Sequence, residues 1–279
     1  SPLDQLFQGS APGDFSKHFA AEASQNNLNV PKIKDSLKYT YDFFQEILNG
    51  KSFVDGNLIE FFRLIFDKPE ILEWEKFWLQ RNKDLDKEIY GLVKWVNPSL
   101  SFGLNVWNRN HFNFIRKIQW PWKEQVDYSD WVKPITYQHQ SGEIFQREID
   151  IFGKTILNDL SKTEVISVFA KILGVNESSL VNLTQRGLDP DTYIYTQCQD
   201  AVRGVEGGSK VYMGIGIDAP RSSKDQAICT PDIAYRSVLA TYKAGGEGVV
   251  LSPNYSSMKL SNLDGVAKAL KELKLFKNE

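Results

Sequence analysis

The chain has 279 residues, 42% of them hydrophobic and 24% charged, a composition that supports a sizeable packed core and argues against intrinsic disorder. Its 33 Lys and Arg against 35 Asp and Glu leave a formal charge of -2, which supplies no positive footprint for nucleic acid or for an anionic membrane surface. No run of about 18 apolar residues occurs, so no membrane-spanning helix is predicted, and Cys198 and Cys229, without C-x-x-C spacing or a neighbouring His cluster, argue against a zinc site and a disulfide framework.

Residues 1–29 read as polar loop with one short amphipathic piece at 15–23. Because the first residue is Ser1, the chain is expected to be a fragment or a processed product, any signal peptide lying upstream. Ile33, Leu37, Tyr41, Phe44 and Leu48 then repeat at helical spacing after Pro31, with Gly50 as a C-terminal stop. Residues 58–66 form a second helical run, apolar round most of its circumference and so expected to be buried. Asp67, Pro69 and Glu70 make a capping-box-like start for a long helix through Ile71, Trp74, Trp78, Leu85, Ile89, Leu92, Val93 and Val96. A break is expected near Asn82, the end at Asn97-Pro98, and Trp74 and Trp78 should be largely buried.

The period then changes. Phe102, Leu104 and Val106 alternate with Ser101, Gly103, Asn105 and Trp107, a strand signal. Residues 131–137 are a second extended run, in which Pro134 marks a bulge or an irregular edge. Residues 143–186 are mostly helical in pattern, broken near Ser161 and Gly174, and Asp189-Pro190 opens a helix that carries Tyr193 and Tyr195 and ends before Gly207-Gly208. Strand 211–218, helix 231–244, strand 248–252 and helix 258–273 complete the chain. Strands that are each followed by helical sequence predict parallel β/α units, since parallel neighbours need crossover connections.

On the third strand Val211, Met213, Ile215 and Ile217 share one face, and Tyr212, Gly214, Gly216 and Asp218 the other. Large apolar residues toward surrounding helices and small ones toward a crowded axis suit a barrel, although a doubly wound open sheet uses glycines in the same way. Four strands close no barrel. The expected fold is therefore α/β, the C-terminal half (strands five to eight) of a (β/α)8 TIM barrel whose N-terminal half is missing. Residues 1–30 would be a loop-rich opening segment, 31–97 a helical insertion before strand five, and 98–279 strands five to eight with their helices.

The runs Tyr128-Ser129-Asp130-Trp131-Val132-Lys133-Pro134, Gly214-Ile215-Gly216-Ile217-Asp218, Gly248-Val249-Val250-Leu251-Ser252 and Asn254-Tyr255-Ser256-Ser257-Met258-Lys259-Leu260-Ser261-Asn262-Leu263 carry a resemblance. They resemble the C-terminal half of a bacterial family of uncharacterised glycoside-hydrolase-like barrels, over most of the chain and most closely from Tyr128 onward. The resemblance implies an upstream half ending in a Glu-bearing fourth strand, with Ser1-Pro2-Leu3 as the loop after it. That family often has His where this chain has Asn105 and Asn108, and a basic residue near Pro253.

Asp218 is the catalytic candidate: it ends a strand on the glycine-bearing face, where barrel enzymes place their sites. Glycosidases need two carboxyls about the scissile bond, and barrel glycosidases of the large retaining clan take the nucleophile, usually Glu, from the seventh strand, which the resemblance makes Asp218's. Asn105, Trp107 and Asn108 at the end of the first strand here, Tyr137 at the end of the second, and Arg116 and Tyr255 in loops are substrate-binding candidates, offering aromatic faces and hydrogen-bonding groups. Asp218 is expected to lie within reach of Asn105, Trp107 and Tyr137. Against each stands the plain alternative of loop capping or core packing.

His111 and His139 follow the first and second strands, but no Cys or carboxylate constellation joins them and no metal is expected. Gly214-x-Gly216 lacks the third glycine and the strand-turn-helix setting of a dinucleotide site, so no cofactor is expected. Asp127 and Asp130 precede a strand and are read as structural. The expected function is a retaining glycoside hydrolase acting on O-glycosidic bonds, its second carboxylate in the missing half, its partners a carbohydrate substrate and that N-terminal half, with neither nucleic acid nor membrane. By itself the chain is expected to be inactive and poorly stable. A non-catalytic sugar-binding barrel and a phosphate-binding barrel enzyme are the rivals.

Overall fold

The computed structural model describes residues 1–13, 15–176 and 181–275. The chain divides into two compact units, Ser1–Glu88 with Ile149–Val165, and Ile89–Glu148 with Ile166–Glu279.

The first unit is helical, with α1 (Pro2–Phe7), α2 (Lys17–Gln25), α3 (Val30–Leu48), α4 (Asn57–Asp67) and the greater part of α5 (Glu70–Val96). Local chemistry starts three of these helices. The side chains of Ser1, Ser16 and Asn29 accept from the amides of Asp4, Phe19 and Lys32, satisfying donors that the first turn leaves free. Helix α1 stands where loop was expected. Leu3, Leu6 and Phe7 bury one face of it, and the Leu3 amide donates to Glu75 Oε2 at 2.9 Å. The core here is aromatic: the Phe7 ring centroid lies 4.8 Å from Phe44, 5.2 Å from Phe61 and 5.0 Å from Phe152. Trp74, fully buried, stacks on Phe15 at 4.6 Å.

Three expectations need correction. The run 58–66 is helical, as α4, yet only Phe61 and Leu64 of its large apolar residues are buried, while Ile59, Phe62 and Phe66 are exposed. Asp67 ends α4 and does not cap α5. Helix α5 runs unbroken past Asn82, whose side-chain amide donates back to the Trp78 carbonyl at 2.7 Å and so leaves the backbone ladder intact. Trp78 is half-buried, in contrast to Trp74.

The second unit holds the sheet. In chain order it contains β1 (Gly103–Val106), α6 (Arg109–Phe112), α7 (Phe114–Gln119), α8 (Trp122–Gln125), β2 (Trp131–Pro134), most of α9 (Gln138–Gly153) and of α10 (Lys162–Leu173), α11 (Leu183–Arg186), α12 (Pro190–Gly204), β3 (Lys210–Gly216), α13 (Pro231–Lys243), β4 (Gly248–Ser252) and α14 (Leu260–Glu272). The helical stretch expected at 143–186 thus begins earlier, at Gln138, and its residues 177–180 lie outside those described. Its break at Ser161 is a capping box, the Ser161 amide donating to Glu164 Oε2 at 2.8 Å and the Glu164 amide to Ser161 Oγ at 3.4 Å.

The four strands are parallel and lie in the order β1-β2-β3-β4, without a reversal. Gly103 pairs with Trp131, Val132 with Val211 and Gly216 with Ser252. Pro134 sits in register opposite Val106 as the last residue of β2, so it ends the strand and makes no bulge. On β3 the expected division holds: Val211, Met213, Ile215 and Ile217 are all buried. Asp130, expected to be structural, accepts from the Phe102 amide and from Lys94 Nζ, each at 2.7 Å. Burial works to raise its pKa, but those hydrogen bonds and the Lys94 charge hold it below the usual carboxylate range. Among the described residues no helix is long and apolar enough to cross a membrane.

Candidate functional site at the carboxyl end of the sheet

The glycines on the face turned away from the buried β3 side chains have a common use: each gives room to a large neighbour. A Cβ at Gly103 would lie 2.1 Å from the Trp131 ring, at Gly214 2.9 Å from Lys133 Cε, at Gly216 2.5 Å from His139 Cε1, and at Gly248 2.9 Å from the Tyr212 ring. Side chains from β2, β3 and the turn after β2 therefore lie flat across adjacent strands. Trp131 and Tyr212 meet with ring centroids 5.8 Å apart, and Tyr137 and His139 stack in parallel at 6.3 Å over Gly216.

Asp218 follows β3, and its carboxylate is anchored. Oδ2 accepts from the Lys259 amide at 2.8 Å and from Asn262 Nδ2 at 3.1 Å, while Oδ1 lies 3.6 Å from Lys259 Nζ. Lys259 is the residue immediately before α14, so Asp218 secures that helix to the end of β3. Its charge reaches two buried neighbours. His139 is pushed down to about 4 by burial, against which the Ala219 backbone and Asp218 act in the opposite sense. Cys229 is pushed up to about 12 by burial and by Asp218, which makes it a neutral thiol and no nucleophile.

The remaining candidates divide. Trp107 and Tyr255 are 66% and 87% exposed, Asn105 is exposed, and Tyr137 is half-buried. Asn108 is buried. Arg116 lies in α7, where its amide donates to Asn113 Oδ1 at 3.1 Å. The sheet order puts β2 between Asn105 and β3, a separation of about 10 Å at the backbone. Tyr137 and Asp218 therefore come together around Gly216 and His139. Asn105 and Trp107 stand at the far side of the sheet, and the hydrogen bonds that anchor Asp218 come instead from Lys259 and Asn262.

His111 is buried with Nδ1 3.0 Å from the Tyr193 hydroxyl, and burial pushes it down to about 3. Among the described residues no group of three or more His, Cys, Asp or Glu is placed to hold a metal ion.

Two residues of this face gain their importance only in the fold. His139 enters as the buried plate beneath which Gly216 must be bare. Lys133 is the other: its stem crosses Gly214, its Nζ donates to Ser252 Oγ at 3.4 Å, and burial lowers its pKa below the usual lysine range. The alternation Trp131, Lys133, Ile135 places Lys133 on this face from sequence alone, but nothing in one dimension singles it out. Comparison of the chain with protein-family models, with curated proteins and with solved structures finds no match.

Proposed function

We propose that this chain is the strand-five-to-eight half of a (β/α)8 barrel and that the carboxyl end of its sheet binds carbohydrate for hydrolysis, with Asp218 as one of two carboxyls. The sequential parallel order and the division of β3 into a helix-packed face and a glycine face support the barrel reading. The observation that carries the function is an oriented carboxylate with the Tyr137 ring near it around Gly216 and His139, on a sheet end whose following segments also carry the exposed aromatics Trp107 and Tyr255. A sugar ring presents apolar C–H patches to an aromatic face and hydroxyls to amide groups such as that of Asn105.

With Oδ2 occupied by two donors, Oδ1 is the oxygen to attack an anomeric carbon. A second carboxyl, from a segment beyond residues 1–279, protonates the leaving oxygen; water then releases the glycosyl ester with that group acting as base. The contacts that anchor Asp218 also favour a second reading, a non-catalytic sugar-binding barrel in which Asp218 only fastens α14.

The two readings separate in one experiment. Oligosaccharide binding by the 279-residue chain and hydrolysis of aryl glycosides by the longer gene product are measured for the parent, Asp218→Asn and Trp107→Ala. Hydrolysis lost in Asp218→Asn with binding retained supports the enzyme. Binding without hydrolysis in every form supports the binder, and absence of both refutes the carbohydrate reading.

A further inference from the structure

The hydrolytic scheme makes no use of Lys133. This residue lies on β2 between Val132 and Pro134, both buried, and projects onto the glycine face half-buried. Its aliphatic stem passes over Gly214 of β3 and brings Nζ to the hydroxyl of Ser252, at the end of β4, at 3.4 Å. Among the described residues that long contact is the one hydrogen bond of the amine, and no carboxylate stands within ion-pair distance of it. The facing groups are uncharged: Asn105 pairs with Lys133 on β1, Tyr212 lies on β3, and Ser252 on β4.

We propose that Lys133 is a nucleophilic amine that condenses with the aldehyde of a small hydroxyaldehyde or open-chain aldose at the carboxyl end of the sheet. An amine is a nucleophile only when neutral, and partial desolvation without a counter-ion favours that form. A lysine kept for binding an anion needs the opposite, a partner that holds it charged. In the reaction the nitrogen lone pair forms a bond to the carbonyl carbon as the C=O π pair moves to oxygen. One proton passes from nitrogen to that oxygen to give the carbinolamine; the nitrogen lone pair then forms the C=N bond as the C–O bond breaks, and the hydroxyl leaves as water with the second proton, which the same nitrogen gives up through solvent. Ser252 Oγ stands beside the nitrogen throughout and is the hydroxyl that contacts the carbinolamine. The site needs no second carboxyl, so it is independent of the hydrolytic reading.

The test is reductive trapping. The 279-residue chain is treated with glyceraldehyde and cyanoborohydride from pH 6 to pH 9, and the rate of alkylation at each lysine is read by peptide mass spectrometry. Lys133 is expected to react at least about tenfold faster at pH 7 than exposed lysines such as Lys123 and Lys243, with a rate that levels off at lower pH than theirs. The Lys133→Arg variant should lose the fast site. Gly214→Ala, which keeps the amine but displaces its stem, should slow it. If Lys133 reacts no faster than the exposed lysines, or follows the same pH profile, the proposal is wrong. A fast Lys133 unaffected by Gly214→Ala would overturn its geometric basis, the passage of the stem over a bare strand.

Discussion

Glu148 joins the segment after β1 to α9, and its replacement should be among the costliest single changes in the second unit. Its carboxylate is 0% exposed, Arg109 is 17% exposed, and Arg109 Nε donates to Oε1 while its Nη2 lies 3.4 Å from Oε2. Asn113 Nδ2 adds a 2.8 Å hydrogen bond to Oε2. Removing one partner of a buried ion pair costs about 3–5 kcal/mol because the other charge stays desolvated. Arg109 keeps some access to water, so Glu148→Ala should cost about 3 kcal/mol, the low end of that range. With a urea slope of about 3 kcal/mol per molar, the unfolding midpoint then falls by about 1 M. Because the penalty lies in an Arg109 charge that has lost its carboxylate, Arg109→Met with Glu148→Leu should recover most of it, an apolar pair of similar volume having no such cost. Urea titrations followed by circular dichroism and tryptophan fluorescence measure both. A fall of less than about 0.3 M for Glu148→Ala, or a double variant worse than the single, would refute the broken ion pair as the source of the loss.

Gly265 of α14 packs so closely on α13 that an added Cβ would lie 2.1 Å from the Pro231 carbonyl oxygen. Since that obstacle is backbone, Gly265→Ala should destabilise by about 2–3 kcal/mol despite its better helix propensity, and a neutral or stabilising result in the same titration would show that the two helices can separate. Phe7→Ala removes a ring that touches Phe44, Phe61 and Phe152, with an expected loss of about 3–5 kcal/mol, and a loss under about 1 kcal/mol would mean that α1 is not part of the core. His111 and His139 are held at about 3 and about 4, below the ordinary 6.5, so between those values the unfolded chain binds the more protons. The stability they carry is complete above pH 6.5 and drains by up to about 1.4 kcal/mol per pH unit for each as pH falls. In an NMR titration two of the three imidazoles should stay neutral from pH 8 to pH 5, and an ordinary midpoint at either would refute their burial. Trp107→Ala, at an exposed position, should change stability by less than about 0.5 kcal/mol, and a larger loss would identify Trp107 as a packing residue.

Periodicity, with Gly and Pro as punctuation, located several elements. Strand β4 falls at 248–252 as expected, because a short apolar run lies between Gly246 and Pro253, and α13 and α14 come within two residues of their expected bounds because helical spacing and Pro231 declare them. The two faces of β3 were legible for the same reason, since a strand's side chains alternate whatever surrounds them. Helix α1 was not, because six residues give fewer than two turns in which to see a period. Nor could composition tell that α4 leaves Phe62 and Phe66 exposed, since apolarity states what can be buried and not what is there to cover it. The site shows the same limit. Sequence placed Asp218 at a strand end, but its partner Asn262 lies 44 residues on and meets it only when β3 and α14 are packed. Lys133 and Gly214 are 81 positions apart in the chain and become one feature only through the register of β2 and β3, because a close approach between strands is a property of their pairing and leaves no periodic trace in either segment.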